Sequence, residues 1–426
     1  MSVSAESLPV AAGVGLPWDV ATRDAVQAIA AARDRIGDTF VVESGRDHYL
    51  FTFSATGVES FYALPEDTAS KGLADYLMLR RKLPDEVFAG RRTLPGTLFR
   101  RDDVTSYLAN LDDALDHTEA ELGEVGEVDL FETTRRLGHR MGLASWAGPG
   151  CSDGPAFERL VAAFDALDGS DAFVHPDAMA AIAASDKQAE RTALEEVVAV
   201  VGEAVAEHDS AETGSLFGRV VAAWGDEPAD VRIRGAALDV ALIHIASMSN
   251  LMAALGWALV DLIDHPDVAA RVVDGDAGLA SRCALESTRL AQRSIMSRAV
   301  LAPVAFDTGD ETVDVPTGWT IATLLPLLNT SAAPGLDRWD PDRWNRYRLA
   351  DSRVLDSPML VTAFGHGRHS CPAQPFSLSA MTIAMTRLLG RYEMTPRWGR
   401  YPRPVPEQIG GVARAAGPCP VSYVAR

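Results

Sequence analysis

The chain has 426 residues, 47% of them hydrophobic, and 59 acidic against 39 basic side chains give a formal net charge of −20. That balance, with no basic stripe, argues against a nucleic-acid binder and favours a soluble protein with a sizeable core. The cysteines Cys151, Cys283, Cys371 and Cys419 lie far apart without metal-ligand spacing, which fits a reducing compartment and excludes a disulfide-stapled scaffold.

In chain order, Met1 to Pro17 carries neither the basic nor the apolar region of a secretion signal. A cytoplasmic location is therefore expected, with residues 1–16 as a short flexible tail. Ala21, Ala25, Ala28, Ile29, Ala32 and Ile36 share one face, which predicts a helix from Trp18 to about Ile36. Two apolar stretches, Thr39–Val42 and His48–Phe53, flank the polar turn Ser44-Gly45-Arg46-Asp47 and predict a β-hairpin. Helical periodicity follows over Val58–Leu64, Val104–Leu122, Leu130–Ala144, Ala156–Leu167, Lys187–Glu207 and Leu216–Trp224. From Val231 to Asp264 the sequence is apolar almost all round, so a helix roughly 50 Å long, at about 1.5 Å per residue, should cross the core. Asp239, His244 and Asp261 interrupt the run, which reads as a buried helix rather than a membrane span. Pro266 ends it by disfavouring the helical conformation at His265. His244 reads as a satisfied core histidine, not a catalytic one. Strand-like stretches follow at Val313–Val315 and Thr320–Leu325. No repeat or linker divides the chain, which predicts a mostly α protein with a small β-rich region in one large domain, residues 1–426.

The chemistry concentrates in Phe364-Gly-His-Gly-Arg-His-Ser-Cys371-Pro-Ala373. Gly365 and Gly367 allow a tight loop in front of one cysteine, and a helix starting near Phe376 brings its positive end towards the sulfur. A thiolate used as an axial haem ligand needs that setting, with backbone N–H groups aimed at the sulfur. The stretch resembles the haem-binding loop of the cytochromes P450, Phe-x-x-Gly-x-(Arg/His)-x-Cys-x-Gly, with Ala373 in place of the last glycine. Upstream, Glu286-Ser-Thr-Arg289 resembles the Glu-x-x-Arg pair of that family's K helix. Asp337-Arg-Trp-Asp-Pro-Asp-Arg343 resembles the stretch that braces the pair.

The resemblance covers essentially the whole chain and implies the cytochrome P450 fold, haem b on Cys371, and oxidation of a small organic molecule with O2 and ferredoxin-delivered electrons. Bacterial specialised metabolism is the setting expected by analogy. Phe364 and Gly365 would shape the cofactor loop, and Arg298 and His369 would neutralise the haem propionates. A third cation is ambiguous: counting places Arg92 at the position, with Tyr76-x-x-x-Arg80 as a rival. Glu286 and Arg289 would form a structural brace. Arg338, Arg343, Arg346 and Arg368 would present a basic surface to the ferredoxin, or else brace the haem or core. The substrate pocket would draw on Pro65–Leu83, Leu167–Gln188, the long helix, Ala291–Val300 and a turn near Gly410-Gly411.

At the point where that helix passes the metal, most of the family carries an acid followed by threonine. Here the stretch is Ala246-Ser247-Met248-Ser249-Asn250, so Ser249 replaces the acid and Asn250 the alcohol. An amide is a poor proton relay and a serine supplies no carboxylic proton. Ala-Ser-x-x-Asn is similar to the same helix in prostacyclin synthase and in bile-acid hydroxylases. Two chemistries follow: ordinary monooxygenation with Ser249, Asn250 and Ala246 lining a polar pocket, or an isomerase, dehydratase or peroxide-driven reaction that needs no reductase. Gln292 and Arg293, if they face the pocket, would select a polar or anionic substrate.

Overall fold

The periodic segments become helices whose ends follow capping chemistry. The computed structural model describes residues 2–426 except 90–91, 94, 170, 209–212, 347 and 350. The helices run α1 (Ala25–Ile36), α2 (Ala55–Ala63), α3 (Lys71–Leu79), α4 (Arg101–Leu122), α5 (Leu130–Trp146), α6 (Gly154–Asp168), α7 (Asp171–Val174) and α8 (Pro176–Ala184). They continue with α9 (Gln188–Glu207), α10 (Leu216–Ala223), α11 (Ala229–Asp264), α12 (Pro266–Val273), α13 (Ala277–Ala291), α14 (Leu325–Ser331) and α15 (Gln374–Arg391). The first starts later than the apolar pattern predicts because the Asp24 side chain accepts the Gln27 N–H and sets the N-cap there.

Strands β1 (Ser2–Ser4), β2 (Thr39–Ser44), β3 (Asp47–Thr52), β4 (Ala69–Ser70), β5 (Val125–Asp129), β6 (Ile295–Val300), β7 (Val304–Asp307), β8 (Thr312–Val315), β9 (Thr320–Leu324), β10 (Trp344–Asn345), β11 (Arg348–Leu349), β12 (Tyr392–Pro396) and β13 (Pro420–Ala425) make small sheets. The expected hairpin β2–β3 opens a five-stranded sheet ordered β2-β3-β9-β6-β4. β12-β13-β5 forms a second sheet near α4 and α5. Of the flexible tail expected over residues 1–16, residues 2–16 are instead ordered: β1 pairs in parallel with β8, and Ala5, Leu8, Ala11 and Leu16 are buried. The β7–β8 hairpin leaves an edge with unpaired backbone groups, and the tail satisfies them.

α11 is the axis of the helical layer, packed against α5, α9, α13 and α15. It is long and apolar enough to cross a membrane, but 72% of its most apolar window is buried within the protein. That burial lapses over one short band. Ala246 and Asn250 are exposed, and Ile245, Ser247 and Ser249 are half-buried, between the buried runs Gly235–His244 and Leu251–Leu262.

Candidate functional site

A buried ion pair anchors the site from below. Glu286 and Arg289 sit three residues apart on α13 with both side chains fully buried. The carboxylate accepts from Arg289 Nε at 2.8 Å and NH2 at 2.7 Å, from Arg343 Nε at 2.8 Å, from Trp344 Nε1 at 2.8 Å and from the Asp340 N–H at 3.0 Å. A charge removed from water needs such saturation; losing one partner costs about 3–5 kcal/mol. Arg343, an expected member of a basic docking surface, is therefore a core brace, whereas Arg338, Arg346 and Arg368 are exposed.

Asn329 on α14 carries the support up to the cysteine loop. Its Nδ2 donates to the Arg289 carbonyl at 3.1 Å and the Thr362 carbonyl at 2.9 Å, and its Oδ1 accepts the Thr362 N–H at 2.9 Å. Gln292 donates to the Ala363 carbonyl at 2.7 Å. The condition under which Gln292 would select a substrate is thus not met: its amide holds the loop. Arg293 likewise turns away, with its N–H on the Gly411 carbonyl at 2.9 Å and NH2 reaching the Val405 carbonyl at 3.4 Å. Neither Asn329 nor the Gln292 contact could be read from the sequence, since each depends on where distant carbonyls fall.

The loop itself closes with the Cys371 N–H on the Phe364 carbonyl at 2.7 Å. Gly365 has φ +80°, and a Cβ there would lie 2.6 Å from the His369 carbonyl oxygen, so this position admits no side chain. Cys371 is a free, half-buried thiol. Burial pushes the thiol up, while the nearby Ala373 and Gln374 N–H groups, the latter hydrogen-bonded to the Cys371 carbonyl at 3.2 Å, favour the thiolate. By contrast, burial is the dominant cause that drives Cys151 up to about 11 and Cys283 and Cys419 to about 12, the behaviour of bystanders.

Cations gather on one side of the loop. Arg298 NH1 donates to His369 Nε2 at 2.7 Å. A guanidinium only donates, so His369 carries its proton on Nδ1. Burial and then the Arg298 charge lower the His369 pKa, which keeps the ring neutral. Arg298 is fully buried and its remaining donors go to the Ala69, Leu64 and Phe61 carbonyls and to Glu66. Arg298 thus stands directly behind His369, on the same side of the cysteine loop. Lys71, at the start of α3, and Arg368 act electrostatically on His369. Lys71 itself pairs with Asp75 on the same helix. Arg92 is placed elsewhere: it pairs with Asp226 and Glu227 and lies over the Trp224 ring at 4.4 Å. Its rival Arg80 pairs with Asp85 at 3.1 Å and covers Tyr76 at 5.2 Å. Two acids and an indole offer Arg92 more than a position in a motif count does.

On α11, Asn250 Oδ1 accepts the Val412 N–H at 2.7 Å, which ties the helix to the C-terminal turn. Two turns earlier His244 is a satisfied core residue, as expected: it accepts from Trp146 Nε1 at 3.1 Å and pairs with His139 at 2.8 Å. Burial holds its pKa well below the usual histidine value.

The residues present fit a haem. Beside the loop, Tyr62 Oη and His366 Nε2 are buried without a hydrogen-bond partner, and their rings pack edge to face at 5.2 Å. Polar atoms orphaned in this way, next to a cationic group and a thiol flanked by N–H donors, match a flat ligand with anionic edges and a metal centre.

No family model matches the chain. Among curated proteins, it is 25% identical over 213 residues to 24-hydroxycholesterol 7-alpha-hydroxylase of Homo sapiens, covering 43% of this chain and 43% of that protein. It is 30% identical over 205 residues to cytochrome P450 monooxygenase pyr3 of Aspergillus fumigatus, covering 42% and 38%. With cytochrome P450 165B3 of Amycolatopsis orientalis it shares 26% over 189 residues, covering 44% and 40%. These matches span less than half of each relative. The structure of retinoic acid-bound cyanobacterial CYP120A1 superposes with a TM-score of 0.75 at 16% identity, covering 99% of this chain and 100% of that one, and so shares the fold.

Proposed function

We propose, from the premise that this chain belongs to the cytochrome P450 family, that it oxidises a small organic molecule on a haem held by Cys371. The observation that carries this reading is the loop: a free thiol whose own N–H closes onto the Phe364 carbonyl at 2.7 Å, behind a glycine that admits no side chain and ahead of the helix α15. When bound, haem b would supply an electron-rich iron able to oxidise C–H or C=C bonds with O2. The residues around it would do the rest. Cys371 would ligate, Phe364 and Gly365 would shape the loop, and His369, with Arg298 behind it and Lys71 beside it, would hold the propionates. Ala246, Ser249 and Asn250 would line the opposite wall. Arg338, Arg346 and Arg368 would receive an acidic ferredoxin, in a cytoplasmic, bacterial setting. The ferrous–CO absorption spectrum tests the core of this reading. A Soret band shifted far to the red, lost in Cys371→Ala, is expected; a spectrum of the histidine-ligated kind would overturn it.

A second reading, an isomerase, dehydratase or peroxide-driven enzyme on the same haem, is favoured by one observation. The open band of α11 offers no carboxylic acid, and the Asn250 carbonyl is already engaged by Val412. Product formed anaerobically without NAD(P)H would establish it.

A further inference from the structure

We propose that Asn250 is a positioning residue that clamps the turn Gly410–Val412 to α11 and fixes the size of the substrate pocket at that end. The proposal rests on the reading that the open band of α11 lines this pocket.

The turn is held from several sides. Asn250 Oδ1 takes the Val412 N–H at 2.7 Å, and Trp257 Nε1, two turns on along α11, donates to the Ala413 carbonyl at 2.7 Å. From the end of α13, the Ala291 carbonyl accepts the Ala413 N–H at 2.8 Å, and the Gly411 carbonyl accepts the Arg293 N–H at 2.9 Å. Inside the turn, the buried Gln408 donates to the Gly410 carbonyl at 2.7 Å and the Val412 carbonyl at 3.1 Å. Gly411 has φ +62°, and a Cβ there would lie 2.4 Å from Asn250 Oδ1. The two positions are therefore matched: the amide can approach only because residue 411 has no side chain.

The clamp also fixes which way the amide faces. With Oδ1 committed to Val412, the group left to the pocket is Nδ2, which donates and does not accept. An amide is neither an acid nor a base near neutral pH and relays protons poorly, so Asn250 acts through the turn it holds.

Amide hydrogen exchange across residues 408–416 tests the clamp without requiring haem. In Asn250→Ala, exchange at Val412 should rise about tenfold or more, the factor for loss of one hydrogen bond worth about 1.4 kcal/mol. In Asn250→Asp the carboxylate still accepts that N–H, and protection should persist. Unchanged exchange in Asn250→Ala, or protection lost equally in Asn250→Asp, would overturn the clamp. The pocket is probed on the haem-loaded protein by optical titration with imidazole and 4-phenylimidazole. Asn250→Ala and Gly411→Ala should shift the ratio of the two dissociation constants by fivefold or more in favour of the larger ligand, with Asn250→Asp close to wild type. A ratio unchanged in all three would overturn the pocket-sizing role even if exchange confirms the clamp. A protein that takes up no haem refutes the functional reading instead, and leaves the exchange result to decide the clamp.

Discussion

Replacing Asn329 with leucine isolates the link between the buried brace and the cysteine loop. The two side chains share the same branched arrangement of four heavy atoms, so no cavity is created, but leucine cannot hydrogen-bond. Three buried backbone groups lose the partner that Asn329 supplies: the Arg289 carbonyl, the Thr362 carbonyl and the Thr362 N–H. Each unsatisfied group costs about 1–3 kcal/mol, and added apolar burial returns about 1–2 kcal/mol, for a net loss centred on about 4 kcal/mol. That is a large part of the 5–15 kcal/mol typical of a folded protein. Equilibrium urea unfolding, run with and without haem, measures the loss. The amplitude of the red-shifted ferrous–CO band measures whether the loop still presents Cys371. Both should fall together in Asn329→Leu. A variant within about 1 kcal/mol of wild type, with full band amplitude, would refute the view that this amide carries the brace into the loop.

Other outcomes follow from buried charges. Glu286→Gln presents a neutral partner to Arg289 and Arg343 and should cost about 3–5 kcal/mol in urea unfolding, with haem uptake reduced in parallel. Asp261 is buried beneath Tyr401, whose hydroxyl donates to it at 2.6 Å, and burial raises its pKa to about 6. A raised carboxyl pKa means the folded state binds the extra proton, so stability is full below about pH 4 and is lost as pH rises through 6. Asp261→Asn should remove that slope and gain up to about 3 kcal/mol at pH 7, checked by unfolding midpoints at both ends of the window. Lys82 is buried with Nζ on the Ala166 and Leu167 carbonyls at 2.8 and 2.7 Å, capping the end of α6, and burial lowers its pKa to about 8. The sign is opposite: stability should rise as pH climbs from about 8 towards 10.5, and Lys82→Met should flatten that rise.

What could be read in the sequence was local or dense in chemistry. The long apolar run became α11, the hairpin formed where its turn residues lay, and Glu286, Arg289 and Arg343 met as their motifs implied. The misses share one cause, which is that a contact partner lies far away in sequence. β1 required the β8 edge more than three hundred residues on. Arg92 was assigned by counting, and the acids and indole of residues 224–226 and Glu227 outcompeted the count. Gln292 looked like a pocket residue because of its place after α13, yet the Ala363 carbonyl is what it meets. Arg298 lies in the expected strand, and its anchoring by the carbonyls at the end of α2 and around β4 and its contact with His369 likewise depend on distant partners.

The two functional readings differ in how a proton reaches the open band of α11, and the buried histidines bear on that. Trp146 Nε1 can only donate, so His244 Nδ1 must accept and its proton sits on Nε2. That proton is given to His139 Nδ1, and His139 in turn donates from Nε2 to Asp165 at 3.1 Å. Asp165 is partly exposed, so the chain of hydrogen bonds runs from the surface to α11. It ends there, because the indole N–H occupies the one nitrogen of His244 through which a proton could continue. Burial keeps His244 from taking a second proton. An amide such as Asn250 is no acid either, so neither side chain supplies the acid that O–O cleavage requires, and a monooxygenase built this way must draw protons from water or from its substrate. A solvent hydrogen isotope effect on turnover separates the cases: water as the proton source gives a marked slowing in D2O, whereas a rearrangement that moves no solvent proton gives none.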